Sequence, residues 1–250
     1  MNEIRLSRQE DIPQLRKLWH QVFGDDQAYL DLFFQTAYAP ERCMVLTQQG
    51  QLTGGAYWLD CSLDGRPIAY LYALAIAPDV QGQGLGTMLL GKIHSHLTAL
   101  AYQAVLLVPG QESLRNYYNR FGYRTVSYYQ EFSAQKSTPI PMQRLNAQTY
   151  GALRREYLGA NSVLQEGASL ALLDGSAQLY RGEGFLAAVD PEASHCLELL
   201  GDRSAAPGIA ATLGLESCRF RVPGPQTPYA MGKNLSGPPL PQEVYFGFSF

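Results

Sequence analysis

The chain has 250 residues, 46% of them hydrophobic and 16% charged, enough apolar material to bury a large core and too little net charge for a disordered chain. Nineteen basic against 22 acidic residues leave a formal charge of −3, so there is no general field for a polyphosphate backbone and nucleic acid is not expected as a partner. Cys43, Cys61, Cys196 and Cys218 are widely separated, with no metal-ligand spacing, which predicts a reduced, metal-free protein. The first residues carry charges throughout where a signal peptide needs an apolar stretch, and no run reaches the length of a bilayer span; a cytoplasmic location without membrane contact is expected.

In chain order, Glu3 to Arg8 alternate as a short strand. Ile12, Leu15, Leu18, Trp19 and Val22 then recur at helical spacing behind Asp11, a good N-cap, and Gly24 ends that helix. A second amphipathic run follows Asp26 with Tyr29, Leu30, Phe33 and Phe34. Cys43 to Thr47 and Leu52 to Leu59 read as a hairpin turning at Gln49-Gly50. Ile68 to Ala77 is a strand, Gly84 to Leu100 a helix, Ala104 to Val108 a buried strand, Glu112 to Phe121 a short helix, and Tyr123 to Phe132 alternates again. The order βααβββαβαβ predicts an α/β or α+β layer structure.

Ser133 to Pro141 is polar and ends in two prolines, so residues 136–141 are expected to link a domain at 1–135 to another at 142–250. The second half reads as a helix at Ala147 to Tyr157, strand-like runs at Leu170 to Leu173, Ala177 to Leu179, Phe185 to Val189 and Leu197 to Leu200, and a short helix near Gly208 to Leu213. Its tail, Glu243 to Phe250, is strongly β-prone.

Residues 71 to 93 carry the chemistry: a strand runs through a glycine-rich loop into a helix. Unpaired NH groups and the positive dipole end of such a helix form an anion site, and glycine lets a phosphate approach the backbone. The spacing excludes two nucleotide loops. A Walker A loop needs GK[ST], and in a GxGxxG fingerprint the last glycine would fall one position after Gly86.

Gln81-Gly82-Gln83-Gly84-Leu85-Gly86 matches Q/R-x-x-G-x-G/A, and over roughly residues 3 to 132 the chain resembles the GNAT acetyltransferase superfamily. A second GNAT-like signature lies at 109 to 124, with Tyr118, Gly122 and Tyr123 in the pattern. The resemblance implies an α+β GNAT fold with a central twisted mixed sheet. It also implies an N-acetyltransferase that takes acetyl-CoA as cosubstrate, needs no metal, and moves the acetyl group to an amine acceptor by direct attack. By the same resemblance, the backbone of Leu74, Ala75 and Ile76 binds the pantetheine arm as a splayed strand. Gln81, Gly82, Gln83, Gly84, Leu85, Gly86 and Thr87 form the pyrophosphate loop, and Tyr118 is the general acid. Gln111 stands where many relatives have an Asn.

No carboxylate base lies on Ala69 to Ala73 or on Val105 to Val108; Tyr70 and Tyr72 are left to line an acceptor site or relay protons through water. His94 and His96 are expected at the surface or near the helix C-terminus as positive charges, and Cys43 and Cys61 as buried small hydrophobes. The C-terminal half resembles a smaller, degenerate GNAT half without the loop, its last strands at 228–235 and 243–250. Its free carboxylate at Phe250 is a further base candidate, as in some tandem GNAT relatives. The competing reading, prompted by the missing carboxylate, is a sensor that binds acyl-CoA without turnover.

Overall fold

The computed structural model describes residues 2–249. The elements are β1 (Asn2–Leu6), α1 (Ile12–Phe23), α2 (Gln27–Thr36), β2 (Cys43–Gln48), β3 (Gln51–Leu63), β4 (Arg66–Ile76), α3 (Leu85–Ala99), β5 (Ala104–Leu107), α4 (Glu112–Asn119), β6 (Arg124–Thr125) and β7 (Tyr128–Gln135). They continue as β8 (Met142–Leu145), α5 (Ala147–Tyr157), β9 (Val163–Gln165), α6 (Ala168–Ser176), β10 (Gln178–Gly182), β11 (Phe185–Asp190) and β12 (His195–Gly201), and then α7 (Ala206–Thr212), β13 (Ser217–Pro223), β14 (Thr227–Pro228) and β15 (Met231–Asn234). The chain forms two compact units: 1–61, 66–107 and 233–239 make the first, and 62–65, 108–232 and 240–250 the second.

In the first unit the strands run β1-β2-β3-β4-β5. The β1–β2 and β2–β3 pairs are antiparallel, and β4 pairs β5 in parallel from Ile68↔Ala104 to Tyr70↔Leu106. Helix α1 turns Leu15, Leu18 and Trp19 inward and ends on Gly24, whose φ of +80° is the left-handed cap that glycine favours. Asp26 caps α2 by accepting from the Tyr29 NH at 2.8 Å. Helix α3 buries Leu85, Leu89, Leu90, Ile93 and Leu97 at helical spacing and packs on β2 and β4.

In the second unit seven strands lie in the order β14-β7-β13-β12-β11-β10-β8, antiparallel except for β12 with β13. Cys218, Phe220 and Val222 of β13 face a core with Ile209 and Ala210 of α7, and Leu186, Ala188 and Leu200 face another with Tyr150 of α5 and Leu173 of α6. The two cores explain why β11 is buried along most of its length.

Several expectations are corrected. Leu170 to Leu173 is part of helix α6, closed by Ala171 NH on Gly167 O and Ala177 NH on Leu173 O; so short an apolar run fits either period, and burial on nearly all sides decides for the helix. Tyr123 to Phe132 is broken at Val126 and Ser127, whose NH groups bond Ala230 O. Ser133 to Gln135 belong to β7, and 136–141 carry no regular structure. The β-prone tail forms no strand across 243–249; it makes a single isolated bridge, Tyr245 to Ser162.

His94 and His96 are also neutral rather than cationic. Burial, followed by the Lys233 charge, lowers the half-buried His94 imidazole to about 4, and burial, followed by Lys92, lowers His96, which sits edge-on to Trp58 at 5.7 Å. Between about pH 6.5 and 4 the unfolded chain therefore takes up a proton at His94 that the folded chain refuses, so stability present above 6.5 is lost as pH falls. Denaturant unfolding is expected to show about 1–2 kcal/mol of this loss after allowance for solvent screening, and His94→Gln to remove it. An equal pH slope in that variant excludes His94 as its source.

A glycine loop on β4–α3 and a buried tyrosine on α4

The parallel β4–β5 ladder stops at Tyr70↔Leu106, and β5 ends at Leu107, whereas β4 continues to Ile76. Leu74, Ala75 and Ile76 thus lie on a strand that has run past its parallel partner. A linear chain with amide groups, such as a pantetheine arm, can use freed backbone donors and acceptors there. At the end of β4 the Ala77 NH bonds Thr53 O at 2.8 Å, and the chain turns through Pro78 to Val80 into the glycine loop.

Gln81 ties the loop to the strand, its Nε2 donating to Ile76 O at 2.9 Å. Gly82 and Gly84 have φ of +79° and +80°, and a Cβ on either would meet nothing within 4 Å, so the glycines serve backbone conformation and leave open space in front of the loop. Gly84 is the N-cap of α3 and no side chain caps that helix, so the first-turn NH groups of Leu85, Gly86 and Thr87 have no intrahelical carbonyl. Leu85 is buried as the anchor of the turn, while Gln83 and Thr87 are exposed. The arrangement gathers Leu74 to Ile76, Gln81 and the loop at one end of β4, where an anionic diphosphate meets convergent NH donors. Gln81→Ala is expected to remove about 1 kcal/mol of loop anchoring and weaken coenzyme A binding several-fold by titration calorimetry; an unchanged affinity excludes the anchor.

Tyr118 belongs to the second unit. Helix α4 is held there by Arg115, whose Nη2 donates to Pro228 O at 2.9 Å and Tyr229 O at 3.0 Å. The Tyr118 ring lies edge-on between Tyr117 at 5.2 Å and Tyr123 at 5.5 Å. Burial, with a smaller effect of Tyr117, pushes its hydroxyl up to about 12, so it stays protonated at neutral pH. Among the described residues that hydroxyl has no hydrogen-bond partner. Gln111 is the exposed N-cap of α4 and makes no side-chain capping bond.

Tyr70 is fully buried, and Tyr72 stacks on Phe33 at 5.4 Å with its hydroxyl bonded to that of Tyr29. Trp19 packs on Phe33 and Tyr57 and donates to Asp25 at 2.7 Å. The missing carboxylate on β4 is thus replaced by aromatic packing. Cys43 and Cys61 are buried, as small hydrophobes. Phe250, the terminal-carboxylate candidate, lies outside the described residues. Among the described residues no group of three or more His, Cys, Asp or Glu is placed to hold a metal, and no helix is long and apolar enough to cross a membrane.

Comparison with known proteins bears out the class to which this fold belongs. Residues 3–126 match the acetyltransferase (GNAT) domain, and the chain belongs to that family. Its fold is that of two-domain GNAT proteins. A GCN5-related N-acetyltransferase from Anabaena variabilis is similar to 94% of this chain over 73% of its own, at 13% identity and TM-score 0.74. One from Kribbella flavida has 14% identity and TM-score 0.69 over 94% of this chain and 72% of that chain. Eis1 from Mycobacterium abscessus has 12% identity and TM-score 0.67 over 94% and 74%. No curated protein sequence matches the chain.

Proposed function

We propose that the protein is an acetyl-CoA-dependent N-acetyltransferase acting on a primary amine by direct attack. The observation that carries this reading is the uncapped start of α3 behind Gly82 and Gly84, at the end of a strand that outruns its parallel neighbour. Membership of the GNAT family supports acetyl-CoA as the cosubstrate.

In this reading the NH groups of Leu85 to Thr87 hold the pyrophosphate, and the backbone of Leu74 to Ile76 aligns the pantetheine arm. The neutral amine attacks the thioester carbonyl carbon, the C–S bond breaks, and the departing thiolate takes the Tyr118 proton. A hydroxyl near 12 is always loaded at neutral pH, and with no internal partner it is unspent as a donor. The amine proton leaves to water, relayed past Tyr72 and Tyr29. Residues 1–135 form the catalytic domain in this assignment, and 142–250 contribute to acceptor selection. The burial of all four cysteines, Cys43, Cys61, Cys196 and Cys218, supports a reduced, cytoplasmic setting.

Mass spectrometry after incubation with acetyl-CoA and a panel of small amines and peptides tests the reading. An acetylated acceptor and an unmodified protein are expected. An acetylated protein chain at steady state would overturn direct attack, and coenzyme binding without any acetylated amine would favour the sensor.

A further inference from the structure

The turn between α1 and α2 in the first unit holds a carboxylate that the fold does not use up. Gly24 at φ +80° ends α1, and two aspartates follow. Asp26 is spent on the cap of α2, its Oδ1 accepting from the Tyr29 NH at 2.8 Å. Asp25 accepts from Trp19 Nε1 through Oδ2 at 2.7 Å, and His20 Nδ1 donates to its backbone oxygen at 2.8 Å. Among the described residues the Asp25 carboxylate has no cationic partner, and its Oδ1 accepts no hydrogen bond.

Trp19 brings this carboxylate to an aromatic rim. Its ring meets Phe23 edge-on at 5.5 Å, Tyr29 at 6.5 Å and Tyr72 at 5.9 Å. Phe23 is 42% exposed, and Tyr29, Tyr72 and Asp25 are half-buried, so the rim sets apolar surface beside a negative charge within reach of solvent. Burial first, with the Asp25 charge among the lesser causes, pushes the Tyr29 hydroxyl up to about 12 and raises that of Tyr72. The field of the carboxylate thus reaches the bonded pair of hydroxyls. Tyr72 precedes Leu74 by two residues on β4, about 7 Å along a strand, which sets the rim within the length of a small amine of the stretch assigned to the pantetheine arm.

A primary amine travels as an ammonium at neutral pH. A carboxylate without a cationic partner attracts it, and the exposed Phe23 ring offers a stacking surface to an aromatic body. The adjoining charge of Asp26 adds to the repulsion of any carboxylate carried next to the nitrogen. We propose that Asp25 and Phe23 select the acceptor as a primary amine on an aromatic body with no carboxylate beside the nitrogen. The inference rests on the acetyltransferase reading and names the substrate class of that site. Asp25 is its specificity-determining residue: it guides the ammonium in, and the proton then leaves past Tyr72 and Tyr29.

The test compares phenethylamine, phenylalanine and ethylamine as acceptors for the full-length wild type, Asp25→Asn and Phe23→Ala. Phenylalanine adds only the carboxylate to the first probe, and ethylamine removes only the ring. The wild type is expected to favour phenethylamine over either at least about 10-fold in kcat/KM, the scale of one charge-assisted hydrogen bond. Asparagine keeps an oxygen for Trp19 Nε1 and loses the charge. Asp25→Asn is therefore expected to hold the melting temperature, the Kd for coenzyme A and kcat, to raise KM for phenethylamine about 10-fold, and to shrink the preference over phenylalanine. Phe23→Ala is expected to shrink only the preference over ethylamine. Equal use of phenylalanine by the wild type, turnover of other panel amines but none of these, or an Asp25→Asn enzyme with unchanged KM and preference would overturn the selection. A loss in kcat alone, or one that follows a fall in melting temperature, assigns Asp25 to holding Trp19 and overturns it as well. Absence of turnover with every amine of a wider panel would instead overturn the functional reading. Calorimetric affinities of the wild type and Asp25→Asn for phenethylamine, with coenzyme A bound, would then still decide whether Asp25 selects.

Discussion

Gly84→Val is expected to bind coenzyme A at least about 10-fold more weakly than the wild type, roughly 1.4 kcal/mol or more, with the fold retained. Gly84 sits at φ +80°, a conformation a β-branched residue adopts only under strain, and it is the residue from which α3 starts. A Cβ at this position meets no protein atom within 4 Å, so the added side chain disturbs what occupies the open space rather than the core. In the proposed complex that occupant is the pyrophosphate. Titration calorimetry beside a thermal melt separates the two effects. Unchanged affinity in a folded variant would remove the loop from the site.

Tyr118→Phe is expected to lower kcat by about 10², the lower end for general acid catalysis, with coenzyme affinity almost unchanged. The substitution breaks no hydrogen bond among the described residues, because the Tyr118 hydroxyl has no partner there. The ring keeps its edge-on contacts with Tyr117 and Tyr123, which do not need the oxygen. A loss of turnover is therefore not a folding effect, and equal turnover would make Tyr118 a packing residue.

The order of elements through α4 was legible because each has a strong local signal: Asp26 capping α2, Gly24 closing α1, and apolar spacing along α3. The glycine loop was legible for the same reason, since positive φ and an uncapped helix start are local properties. Beyond residue 135 the signals weaken. Strand β13 carries a legible period, Cys218, Phe220 and Val222 alternating with polar or charged residues, in a stretch with few other local signals. Helix α6 was not legible, because Leu170 to Leu173 is too short and too uniformly apolar to choose a period. The buried Arg154–Glu198 ion pair joins residues 44 apart, and no local pattern announces it. The tail's β propensity led to an expected strand that does not form, because its backbone partners are the side chains of Gln165 and Ser127, from distant parts of the sequence. His94 illustrates the same limit: its place near a helix end suggests a cation, and burial decides otherwise.

The most direct test of the acetyltransferase reading is coenzyme thiol release from acetyl-CoA, followed continuously with and without each amine of a panel, for the wild type, Gly84→Val and Tyr118→Phe. The account predicts amine-dependent release by the wild type, a loss in Gly84→Val that excess coenzyme restores in part, and a loss in Tyr118→Phe that no coenzyme concentration restores. Tight coenzyme binding with no amine-dependent release by the wild type would contradict it.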